Sequence, residues 1–84
     1  MKIVEAAAYG KPVVSTRIGA EGLVFVEGEE ILIHDAPAEF AEECISLLRD
    51  TARAKAVGVA ARRAAARTYS RAQIVEQITH ELTR

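Results

Sequence analysis

Eighty-four residues allow one small domain at most, and a chain of this size is only marginally stable alone. Half of the residues are apolar and 27% are charged, which is normal for a soluble globular protein. The net charge of -1 gives no bias towards nucleic acid, and no run approaches the roughly 18 apolar residues that span a bilayer.

The opening residues, 2–9, read as a short helix ended by Gly10 as a C-terminal cap. Apart from Lys2 and Glu5 this helix is apolar or small nearly all round, so it should pack on more than one side. Residues 12–16 read as a strand, with Pro12 at its first position, where a missing donor is tolerated. Its unbroken apolar core suits a strand buried on both faces of a parallel sheet. Residues 17–22 form a loop, and Leu23 to Val26 read as a short extended piece before a polar turn at Glu27 to Glu30. Ile31, Leu32 and Ile33 make a second short strand.

Three helices are expected next. Pro37 suits the first position of one in which Phe40, Ala41, Cys44, Ile45 and Leu48 recur on the apolar side. Glu39, Glu42, Glu43, Ser46 and Arg49 take the other side, so Leu48 is expected inside and Glu43 outside. The following helix covers about 51–67, with Ala54, Val57, Ala61, Ala64 and Ala65 as a stripe of small residues. Gly58, beside that stripe, costs roughly 1 kcal/mol of helix propensity against alanine, which a close backbone contact would justify. The last helix, 71–83, opens with Ser70 and Gln73 in capping-box spacing and turns Ile74, Val75, Ile78 and Leu82 inward.

Cys44 is the only cysteine, which excludes an internal disulfide and suits a reducing compartment. On an apolar helix face it reads as a buried structural thiol rather than a nucleophile. His34 and His80 are isolated from other ligand types, so no metal site is assigned. Residues 1–50 carry four basic and ten acidic side chains, and residues 51–84 carry seven basic and two acidic ones, an asymmetry read as solvated helix faces. Arg62, Arg63 and Arg67 lack interleaved aromatic residues, which speaks against nucleic acid. No charged-then-apolar leader opens the chain, and the location expected is cytoplasmic, at most peripheral to a membrane.

A parallel strand buried on both faces needs sheet neighbours on each side, and the chain supplies few. The fold class expected is therefore α/β, the last third of a doubly wound domain with a few short parallel strands and about four helices. The stretch KIVEAAAYGKPVVSTRIGAEGL, residues 2–23, resembles the C-terminal nucleotide-sugar-binding segment of retaining GT-B glycosyltransferases of group 1. Lys2, Glu5, Ala6, Ala8, Gly10, Pro12, Val13, Val14 and Thr16 fit the family pattern, followed by Gly19 and the run Glu21-Gly22-Leu23. Downstream, ILIHDAPAEFAEECISLLRD and ARRAAARTYS are similar to the later helices of these enzymes, so the resemblance covers essentially the whole chain.

This resemblance implies a partial nucleotide-sugar-binding domain over residues 1–84, whose parent transfers a sugar to an acceptor with retention. In the family, a glutamate at the place of Glu5 bonds the donor ribose, and a partner glutamate eight positions earlier would fall ahead of Met1. Lys2, Thr16, Gly19 and Gly22 are carried as candidate donor-site residues. No catalytic residue and no cofactor is assigned, the nucleotide-sugar being substrate. The acceptor domain would lie outside this sequence, so the isolated chain is expected to be inactive. It is also expected to self-associate as a dimer or higher, with residues 2–16 at or near the contact. The competing reading is a free-standing, non-catalytic α/β module that binds a protein partner.

Overall fold

A computed structural model describes residues 2–69, 74, 75 and 79. Among them run helix α1 (Lys2–Ala8), strand β1 (Val14–Ser15), strand β2 (Leu32–Ile33), helix α2 (Pro37–Arg49) and helix α3 (Thr51–Thr68). The expected capping pair Ser70 and Gln73 lies outside the described residues, as do Ile78, His80 and Leu82. Ile74 and Val75 are helical, the first half-buried and the second exposed.

The two strands are shorter than the sequence suggests but parallel, with Val14 opposite Leu32 and Ser15 opposite Ile33. The Leu32 N–H donates to the Val13 carbonyl and the His34 N–H to the Ser15 carbonyl, each at 3.0 Å. This alternation turns the backbone groups of Val14 and Ile33 away from the shared ladder, towards the outer edges. Leu23 to Val26 form no strand, and Glu27 makes an isolated parallel bridge with Ile31 across the turn at Gly28.

Gly10 ends α1 as the sequence suggests. At φ +73° it sits in the left-handed region, the Lys11 N–H reaches back to the Ala6 carbonyl, and its own N–H bonds Ala7. Those two bonds are the Schellman arrangement that satisfies the last carbonyls of a helix. The greasy surface of α1 is covered from within the chain. Val4 and Ala7 are only 1% exposed, and Ala7 packs with Ala61 and Ala65 of α3.

That packing requires small residues on both sides. A Cβ built on Gly58 would overlap the Gly10 carbonyl oxygen, so α3 lies backbone-to-backbone against the end of α1. The close contact that would justify a mid-helix glycine is present. A second cluster joins Leu32, Leu47 and Val57, with Val14 and Ala54 packed on it, so α3 touches both clusters. Asp50 closes α2 through its N–H to the Ser46 carbonyl and opens α3 by accepting the Arg53 N–H at 3.0 Å.

The phase of α2 differs from the expected one by about one residue. Leu48 is 82% exposed, Ile45 is 47% exposed, and Leu47 is the buried leucine. Phe40 and Cys44 are half-buried, so their inward placement holds in part. Glu43 turns inward too, its side chain only 14% exposed, because an arginine and a histidine meet it there. Arg53 donates to its Oε2 at 2.8 Å and the His34 Nε2 lies 3.0 Å from its Oε1. A carboxylate bonded this way tolerates a position that an unpaired one would not.

Candidate functional site

Glu5 lies in the first turn of α1 and is half-buried. Among the described residues its carboxylate makes no hydrogen bond and no ion pair, so both oxygens are available as acceptors. Lys2, one turn earlier, is exposed and forms no ion pair with Glu5.

The loop after β1 is held by its own backbone and by two staples. The Ser15 hydroxyl donates to the Thr16 carbonyl at 2.9 Å, and the Thr16 Oγ1 accepts the Gly19 N–H at 3.1 Å. The Ala20, Glu21 and Leu23 N–H groups bond the carbonyls of Thr16, Ile18 and Ala20 in turn. Both candidate glycines have a structural role in this winding. A Cβ on Gly19 would fall 2.7 Å from the Ser15 Oγ, whereas Gly22 faces open space but holds φ +81°. Either requirement suffices to select glycine.

Arg17 supplies the staples, and sequence reasoning passed over it. Its N–H donates to the Asp35 Oδ1 at 2.9 Å, and its guanidinium donates to the Glu27 Oε1 at 3.0 Å. The signal available was charge, since Arg17 is the lone basic residue between Lys11 and Arg49. A cavity of about 330 Å³ opens beside this loop, walled by Arg17, Ile18, Glu21, Leu23, Phe25 and Glu27 among others. None of Lys2, Glu5, Thr16, Gly19 and Gly22 lines it, so it does not bring the candidate residues together.

Two further acids are held by cations. Glu43 is kept below the usual carboxylate range by its bond from Arg53 and then by His34, against a smaller opposing effect of burial. Glu30 is lowered by the Val26 N–H it accepts at 2.8 Å, and by Arg67, whose guanidinium donates to it at 2.8 Å. The Arg53 guanidinium is raised in turn by its bond to Glu43. His34 also lies 3.8 Å from Glu39, so its ring is engaged with acids on α2. Among the described residues, no group of three or more His, Cys, Asp or Glu side chains is placed to hold a metal ion. No helix among them is long and apolar enough to cross a membrane.

The geometry defines a small α/β protein with two parallel strands and a wound loop at the carboxyl end of the first, where folds of this class place ligands. Residues 1–80 match the family described as glycosyl transferase-like, and the chain belongs to that family. No curated protein and no solved structure gives a match.

Proposed function

We propose that this chain is the C-terminal part of the nucleotide-sugar-binding domain of a retaining glycosyltransferase with the GT-B, Rossmann-like architecture. The activity is transfer of a sugar from a nucleotide donor to an acceptor, with the anomeric configuration kept. The observation that carries the reading is Glu5, a half-buried carboxylate without a partner, inside a family match that spans its whole neighbourhood. A carboxylate held partly out of water favours any ligand that returns its lost hydrogen bonds. Two adjacent ribose hydroxyls supply two donors at the spacing of two carboxylate oxygens. Lys2 stands a turn away as a cation for phosphate. The Thr16 oxygen is occupied by the Gly19 N–H, which leaves its O–H free to donate to a ligand at the loop. The nucleotide-sugar is a substrate and no cofactor is invoked. The partner glutamate, the pyrophosphate-binding residues and the acceptor domain belong to a longer protein, which works in the cytoplasm.

The test uses the complete reading frame. Glu5→Ala is expected to lower donor-dependent turnover by about tenfold or more with the fold intact, since bonds to a charged group contribute roughly 1.5–3 kcal/mol each and are rarely additive. The anomeric configuration of the product, read by NMR, tests retention separately. The 84 residues alone are expected to turn over no donor. Kinetics indistinguishable from wild type in Glu5→Ala would overturn the ribose role, and turnover by the isolated chain would overturn the need for the remaining parts.

A further inference from the structure

Helix α2 (Pro37–Arg49) has two apolar faces and uses one of them. Phe40, Cys44 and Leu47, with the paired Glu43, take the inner side. On the opposite side Ala38, Ala41, Ile45 and Leu48 are all exposed. Their steps of three, four and three residues are those of a coiled-coil seam, which faces a partner helix along its length. Among the described residues nothing covers Leu48, which stands 82% exposed at the end of this seam.

Three features of this face select the partner. The seam is flanked on one side by Glu42 and Arg49, two full turns apart, both exposed and neither in an ion pair within the described residues. A surface that carries one acid and one base symmetrically about its centre is complementary to itself when turned end for end. A two-fold axis between Ile45 and Ser46 sets Glu42 of each copy opposite Arg49 of the other. The third feature is shape. Glu42, Ile45, Ser46 and Arg49, with Asp50 at one end, wall a groove of about 510 Å³. Positions i, i+3, i+4 and i+7 are the four residues that form a hole for one knob of a facing helix. At that axis the knob is Ile45 of the second copy, and Leu48 follows against Ala41 and Glu42.

The geometry points to a second copy of this chain, docked antiparallel along the outer face of α2, as the occupant of this surface. The contact is isologous, so the same patch serves both copies and the assembly closes at two. A single helix pair buries less than the roughly 1,200 Å² of a standard interface, so the association is weak and reversible. This inference uses only the outer face of α2, and it is read by association rather than by turnover. It also moves the self-contact away from residues 2–16, where Val4 and Ala7 are buried and Ala7 packs on α3.

The test is sedimentation equilibrium of the 84-residue chain from micromolar to millimolar concentration, with four variants. Leu48→Glu is expected to be monomeric throughout. Glu42→Arg and Arg49→Glu each place like charges opposite one another twice per dimer, and each is expected to weaken association by roughly tenfold. The double variant Glu42→Arg/Arg49→Glu restores both pairs with reversed sign and is expected to return to within about twofold of wild type. Raising the salt concentration is expected to shrink the effect of the single reversals. All these side chains are exposed, so thermal unfolding at low concentration should match wild type in every variant. A wild-type chain that stays monomeric to millimolar concentration overturns the proposal. So does association that ignores Leu48→Glu, or a double variant no better than the sum of the two single ones.

Discussion

Adjacent leucines in α2 meet opposite surroundings. Leu47 packs with Leu32 and Val57, and Leu48 stands in water. Leu47→Ala should therefore destabilise the chain by about 2–5 kcal/mol, the range for emptying a core leucine site. Leu48→Ala should change stability by no more than about 0.5 kcal/mol when the chain is monomeric. Urea titration of both variants at low concentration measures the contrast, and equal losses would mean that the face of α2 is assigned wrongly. The sequence made this phase hard to read because α2 carries apolar residues on two sides. Counting Glu43 as polar pushed the inner face one residue onwards. The missing information was tertiary: the two side chains that bond Glu43, His34 and Arg53, lie outside its own helix. The availability of Glu5 was equally invisible. The resemblance could mark its position, but only the packed helix leaves its carboxylate half-buried and unbonded.

At the scale of elements, local signals were readable where they are stereochemical. Gly10 ends α1, Pro37 starts α2, and Val57, Ala61, Ala64 and Ala65 form the buried stripe of α3. The strands were readable in type and in parallel sense but not in length, because a ladder needs partners and each described strand has one. The contact between α1 and α3 gives the sharpest prediction. Gly58→Ala should gain about 1 kcal/mol of helix propensity. It should nonetheless destabilise the protein by a net of about 1–3 kcal/mol, as overpacking does, because the new methyl group overlaps backbone rather than a movable side chain. A lower unfolding midpoint with unchanged helical content is the expected result. A more stable Gly58→Ala variant would show that the two backbones can separate without cost.

Across the whole molecule, two ion pairs tie the acidic first part to the basic second part. Glu43 meets Arg53, and Glu30, itself buried, meets Arg67. Composition suggested solvated faces, and the pairing appears only when α3 lies back across the earlier residues. Both glutamates titrate below their ordinary range in the folded state. Their contribution is therefore present above the unfolded carboxylate value and is lost as the pH falls through the folded one. Stability should decline from about pH 5 towards pH 3. The double variant Glu30→Gln/Glu43→Gln should be less stable at pH 7 and show a shallower decline. An equally steep decline in that variant would assign the acid sensitivity to other groups.

The alanine contact between α1 and α3 also has a consequence for the order in which the protein is made. Helix α1 is seven residues long, too short to persist in water by itself. The residues that cover it, Ala61 and Ala65, lie near the far end of the described chain. During synthesis the segment around Glu5 therefore leaves the ribosome before α3 and stays unsettled until α3 follows. This part of the candidate donor site thus takes its final shape only after a helix translated some fifty residues later.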